Sequence, residues 1–189
     1  MGAPHDSVGA TFNQGSAYVF SRRGGSWVET QKLTPSDGAG GDQFGWSVAV
    51  SGSTIVVSSI GDTTGGVLFQ GSAYVFSHQG GSWVETQKLS PSDGAESDFF
   101  GEAVAVTGST IVVTSLFADV VNQGQGAAYV FNRQGGSWVE TEKLTANDPT
   151  GVTEFGWSVA ASGPTIVVGS PFEPINGNSA QGAAYVYEP

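Results

Sequence analysis

Apolar positions along the chain come in short, strand-like bursts, each closed by glycine or serine. Ser47 to Val50 and Thr54 to Val57 are β-rich runs joined by Ser51-Gly52-Ser53, a connection short enough to close a hairpin. Ser72 to Phe76 and Trp83 to Leu89 form a second pair around His78-Gln79-Gly80-Gly81. No stretch keeps helical spacing without a glycine interruption, so the pattern predicts strands and essentially no helix.

The pattern then repeats. Phe44 to Val57 recurs from Phe100 to Val113 and from Phe155 to Val168, at offsets of 56 and 55 residues. The run Gln-Gly-(Ser/Ala)-Ala-Tyr-Val-(Phe/Tyr) starts at Gln14, Gln70, Gln125 and Gln181, and Gly-Gly-Ser-Trp-Val-Glu-Thr-(Gln/Glu)-Lys-Leu at Gly24, Gly80 and Gly135. Each unit offers four strands: two short apolar ones, a third rich in aromatics, and a half-polar fourth.

Side-chain size along this series says how the units pack. Ser47, Val48, Ala49 and Val50 in the first strand are small, whereas the third carries Tyr74 and Phe76. The first three strands are apolar on both faces, which suits sheets covered on both sides. Sheets fanning out from a narrow axis need small residues inside and bulky ones outside. The expected fold is all-β, a β-propeller of four-stranded antiparallel blades; a β-solenoid, the rival, repeats over fewer residues. Residues 1–43 read as half a blade, 44–99 and 100–154 as full blades, and 155–189 as a partial one, with thirteen strands in all.

Composition narrows the function. Charged residues make up only 12% of the 189 and glycine contributes 29, which excludes a helical bundle or coiled coil. The longest apolar runs, Ala127 to Phe131 and Ala183 to Tyr187, fall far short of the ~20 residues of a membrane helix. Six basic residues and a net charge of −11 leave no footprint for nucleic acid or for anionic lipid. The absence of cysteine removes disulfides, thiolate zinc sites and cysteine nucleophiles together. A lysine-poor, Gly/Ser/Thr-rich acidic chain points to an extracellular or cell-surface protein. Met1-Gly2-Ala3-Pro4 carries no basic-then-apolar leader, so an export signal is expected outside this sequence.

The Phe-Gly pairs at 44, 100 and 155, with Ile55-Val56-Val57 leading toward a Gly-Ala-Pro-like tripeptide, resemble the FG-GAP repeat of integrin-α-type propellers and of bacterial surface proteins. The tripeptide is intact at Gly2-Ala3-Pro4 and altered at Ser58-Ser59-Ile60, Thr114-Ser115-Leu116 and Gly169-Ser170-Pro171. The resemblance implies a propeller serving adhesion, ligand binding or support of an enzyme. In its calcium-binding members the first two strands are joined by a long Asp-rich loop. Here the joins are Ser51-Gly52-Ser53, Thr107-Gly108-Ser109 and Ser162-Gly163-Pro164, with no carboxylate, so no cofactor is expected and calcium is not expected at that place.

Several residue sets are candidates for chemistry. Acidic pairs precede each Phe-Gly: Asp37 and Asp42, Asp93 and Asp98, Asp148 and Glu154. They either meet on a cation or accept backbone hydrogen bonds that stiffen the crossing between blades. The variable connections after each second strand carry Phe12, Phe69, Phe117 and Phe172 with Asp62, Asp119 and Glu173; these form a recognition rim or plug gaps between blades. Trp27, Trp83 and Trp138 open the fourth strand, either as sugar platforms or as anchors. Trp46 and Trp157 give way to Glu102 in the middle copy, which marks a position open to solvent. His5 and His78 fall outside the register, so a nucleophilic triad lacks material. The expectation is a non-enzymatic scaffold binding a protein or a glycan, an accessory propeller of a larger secreted enzyme, or a multivalent lectin. Its outer blades are expected to be covered by the remaining blades of a longer chain or by a second copy.

Overall fold

The computed structural model describes residues 1–119, 124–147 and 153–188, which form fourteen strands and no helix. β1 (Gly2–Ala3), β2 (Ser16–Arg23) and β3 (Ser26–Leu33) make the first sheet. β4 (Phe44–Ser51), β5 (Thr54–Ser59), β6 (Ser72–Gln79) and β7 (Ser82–Leu89) make the second. β8 (Phe100–Thr107), β9 (Thr110–Ser115), β10 (Ala127–Gln134) and β11 (Ser137–Leu144) make the third, and β12 (Ser158–Ser162), β13 (Thr165–Ser170) and β14 (Ala183–Tyr187) the last. Every sheet is an antiparallel meander in chain order. They are propeller blades in an open array, with no closed ring.

Two details differ from the sequence reading. The additional strand is β1, whose Gly2 and Ala3 pair with Ala17 and Ser16 as Ser58 and Ser59 pair with Ala73 and Ser72 in the next blade. The strands are also longer than their apolar runs. β6 and β7 extend through the polar His78 and Gln79 to a two-residue Gly80-Gly81 turn, because the outer hairpin needs only ladder bonds and no burial to continue. β4 begins at Phe44, three residues before the apolar run, with a register break inside the strand between Phe44 and Val48.

The motif phenylalanines hold each blade to itself. Phe44, Phe100 and Phe155 are fully buried, and each meets two rings of its own third strand edge-on: Tyr74 and Phe76, Tyr129 and Phe131, Tyr185 and Tyr187. Burying one such ring stabilises by about 2–3 kcal/mol. The glycine that follows sits where the preceding blade comes closest: a Cβ on Gly45 (φ 95°) would overlap the Ser16 carbonyl oxygen. The same holds for Gly71 (φ 82°), whose Cβ would overlap the carbonyl oxygen of Phe100 in the next blade. Only glycine combines this backbone with this approach.

Between the second and third blades the core is continuous: Val56, Val75 and Leu89 meet Val104, Val106 and Ile111. Between the first and second, a cluster of Ala17 and Leu33 with Phe44, Ile55, Val57, Tyr74 and Phe76 also crosses, but it leaves part of β4 uncovered. Val48 and Val50 are 39% and 66% exposed while their counterparts Val104 and Val106 are buried, because the first sheet contains nothing inside β1. A groove of about 400 Å³ runs there, lined by Val19, Leu33, Val48, Val50 and Trp83.

Candidate functional site

The register of β2–β3, β6–β7 and β10–β11 sets a tyrosine opposite a lysine in each blade: Tyr18 with Lys32, Tyr74 with Lys88, Tyr129 with Lys143. Each ammonium lies over its tyrosine ring, 5.4, 5.2 and 5.1 Å from the centroid. In the second blade the pair gathers two carboxylates. Tyr74 Oη donates to Asp37 Oδ1 at 2.7 Å and Asp62 Oδ2 at 3.2 Å, and Lys88 Nζ reaches both carboxylates at 2.7 and 2.6 Å. Asp37 belongs to the loop after β3, so this cluster bolts the first blade to the second. Asp93 does the same for the third blade, taking Tyr129 at 2.9 Å and Lys143 at 2.7 Å.

Electrostatics follow from these bonds. Burial works against the charged form of Asp37, but the bonds from Lys88 and Tyr74 outweigh it and hold its carboxyl below the ordinary carboxylate range. Asp93 is depressed the same way by Lys143 and Tyr129. Tyr74 is raised far above an ordinary phenol by burial and by Asp37. Asp42 and Asp98, five residues on, behave oppositely. Both are buried, each accepts one backbone N–H (from Ala39 at 2.6 Å and Ala95 at 2.7 Å), and burial pushes both pKa values up.

The members of the first two acidic pairs therefore take different partners, a lysine–tyrosine pair for Asp37 and Asp93 and a loop amide for Asp42 and Asp98. Asp148 lies outside the described residues; Glu154 is half-buried in a left-handed conformation (φ 51°). Among the described residues, no three His, Asp or Glu side chains come together as a metal site would need. The β4–β5, β8–β9 and β12–β13 turns carry no carboxylate, so the residues present do not fit calcium there.

The outer rim is fastened by a second repeated device. Gln31 meets both backbone groups of Trp83, and Gln87 does the same to Trp138. Ser36 and Ser92 donate through N–H and Oγ to Glu85 and Glu140 of the following blade at 2.7–2.9 Å. Trp138 is buried under Arg133, Trp83 is half-buried beside His78, and Trp27 is 70% exposed. The three indoles thus occupy unlike surroundings.

The variable connections meet on one loop face. Asp62 is buried and accepts from Ser72, Tyr74 and Lys88, which makes it part of the polar bolt. Glu173 is likewise buried, and its carbonyl accepts from Gly182. Asp119 is exposed, with Oδ1 accepting from Gly124 N at 2.9 Å. Phe12, Phe69, Phe117 and Phe172 are all exposed. Phe172 meets Trp157 edge-on at 6.2 Å. Phe69 stacks on Phe99 at 6.1 Å, and Phe99 meets Phe117 edge-on at 5.8 Å.

Sequence reasoning missed Phe99 and the lysine–tyrosine pairs. Both left a signal: Phe99 makes a Phe-Phe doublet where the other copies have Gln43 and Glu154, and each Lys follows its Tyr by 14 residues.

Comparison with known proteins agrees with this architecture. No curated protein matches the chain. The family model of the FG-GAP repeat matches three times, over residues 27–76, 83–131 and 138–187. Each match runs from the outer strand of one blade through the third strand of the next, so the sequence unit spans the blade junction rather than a single sheet. With most of its length matched in register, the chain belongs to the FG-GAP repeat family.

Proposed function

We propose that this chain is a non-catalytic, extracellular recognition scaffold that binds a protein through its loop face and works without a resident cofactor. What supports this is the division of labour between repeated and unrepeated residues. The repeated polar side chains are used up in bolting blade to blade: Asp37, Asp93, Lys88, Lys143, Gln31 and Gln87 all have partners in a neighbouring blade or in the bolt itself. The aromatic residues of the variable connections, Phe12, Phe69, Phe117 and Phe172, are left exposed on this frame, where recognition contacts reside. The groove between the first and second blades takes the inner strand that the first sheet lacks, supplied by the remaining blades of a longer chain or by a second copy.

Immobilised chain screened against peptide and glycan arrays checks this reading. Binding abolished by Phe69→Ala or Phe117→Ala and retained by Trp27→Ala supports loop-face recognition. Binding lost only with Trp27, Trp83 and Trp138 moves the function to a lectin-like rim. A hydrolytic activity of the chain itself contradicts the proposal.

A further inference from the structure

The repeats provide an internal control that separates scaffold from function. At the junction of the first and second blades, Gly41 N donates to Phe12 O at 3.0 Å and Gln43 N to Asn13 O at 3.1 Å. At the junction of the second and third, Ser97 N donates to Leu68 O at 3.0 Å and Phe99 N to Phe69 O at 3.2 Å. The two frames match bond for bond, down to the left-handed backbone at Asn13, Gln43, Phe69 and Phe99 (φ 52°, 58°, 51° and 52°). The side chains do not. Where the first junction has Asn13, Gln43 and Gly61, the second has Phe69, Phe99 and Phe117. The first frame closes without phenylalanine at these three positions, and a left-handed conformation suits Asn better than Phe. The three rings are therefore not needed to build the junction.

They form a continuous platform, with Phe69 47% and Phe117 41% exposed, beside a hollow of about 460 Å³. The hollow is lined by Phe99 and Phe117 together with Glu96, Asp98 and Asp119, and by no lysine or arginine. Ring faces carry negative quadrupole and the carboxylates only accept, so both features select a cation, and a chain of net charge −11 draws one in. A lysine side chain matches both parts, its four-carbon stem lying along the rings and its ammonium reaching the acids.

We propose that the Phe69–Phe99–Phe117 platform and its adjoining hollow bind a lysine side chain presented by a basic partner protein. This rests on the recognition reading above and names its chemistry. Three substitutions test it, each installing the residue the chain already carries at the first junction: Phe69→Asn, Phe99→Gln and Phe117→Gly. All three leave net charge unchanged, so diffuse attraction of cations to an acidic protein is preserved in the triple variant. A pentapeptide with a central lysine is titrated into isotope-labelled protein, with the Nε-acetyl-lysine peptide as control, and a thermal melt confirms the variant's fold.

The expected result is amide shifts centred on residues 69, 96–99 and 117–119, affinity weakened about tenfold in the triple variant, and weakening of similar size on acetylation. Equal affinity for wild type and folded triple variant overturns the proposal, since binding then reports charge alone. If the lysine peptide fails but an array ligand is lost in the triple variant, the ammonium assignment falls and loop-face recognition stands. If no array ligand binds, both fall. A variant that fails to fold overturns the premise that the rings are dispensable to the junction.

Discussion

Gln31 grips Trp83 by its backbone: Gln31 Nε2 donates to the Trp83 carbonyl oxygen at 2.7 Å, and Trp83 N–H donates to Gln31 Oε1 at 2.7 Å. Gln87 repeats this on Trp138. One side-chain amide thus completes two main-chain groups on the exposed rim of another blade, which accounts for the fixed glutamine better than any surface role. Glu142, at the same position of the third unit, has lost the donor.

Removing this clamp should be costly. Gln87→Ala leaves the Trp138 N–H and carbonyl unpaired and is expected to cost about 2 kcal/mol, lowering Tm by roughly 4–8 °C. Gln87→Glu keeps one bond but sets a carboxylate against the Trp138 carbonyl, and should fall at least as far. Scanning calorimetry of the two variants checks both values.

The closeness of the blades can be separated from backbone strain by two glycine substitutions. Gly71 and Gly80 both have positive φ, 82° and 58°, but a Cβ on Gly80 meets open space, whereas one on Gly71 runs into Phe100. Gly80→Ala should cost about 1 kcal/mol. Gly71→Ala should exceed about 3 kcal/mol by prising the second and third blades apart. Equal losses in urea titrations would show that the approach is looser than described.

The third blade has lost a coupled pair. Asp6 accepts from Ser16 at 2.7 Å, and Asp62 from Ser72, but the corresponding positions of the third blade are Ala118 and Ala127, both buried. Ala118→Asp alone places a carboxylate there that lacks the serine hydroxyl and is expected to destabilise. Adding Ala127→Ser should return about 1 kcal/mol as a coupling energy. A double-mutant cycle by chemical denaturation measures it, and strictly additive effects would refute the pairing.

Acid should loosen the bolts in a defined window. Asp37 and Asp93 have depressed folded pKa values, so the stability they contribute is present above the ordinary value of 3.8 and is lost as pH falls through the lower folded values. Asp42 and Asp98 have raised values, so their contribution is complete below 3.8 and is lost as pH rises through the higher folded values. Asp37→Asn with Asp93→Asn should flatten the acid limb of the stability profile below pH 3.8. Asp42→Asn with Asp98→Asn should leave that limb in place and remove the decline on the less acidic side. Thermal melts across the range distinguish the two doubles.

Much of the fold was legible because one pattern is written three times: strand pairs, their order and the graded side-chain size all survive averaging over copies. β1 was not, since Gly2 and Ala3 have no alternation to read and are recognised as a strand only through their equivalence to Ser58 and Ser59. The acidic pairs read either as a cation site or as acceptors of loop-backbone hydrogen bonds, and Asp42 and Asp98 do accept such bonds. Sequence distance put Asp37 beside Asp42, but the loop turns one inward and sends the other to a lysine 51 residues along the chain. The loop-face aromatics were visible as composition; the stacking of Phe69 on Phe99 required two loops from successive blades to be seen together.

The bolts all point the same way. Asp37, Ser36 and Gln31 of one unit reach forward to Lys88, Glu85 and Trp83 of the next, and their counterparts reach forward again. Such a polarity makes the 56 residues from Gly15 to Gln70 an exchangeable cassette: duplicating or deleting them regenerates the repeated polar bolts at every junction. Lengthening by recombination between near-identical gene segments is then tolerated from the first event, while the few residues that differ between cassettes are free to diverge.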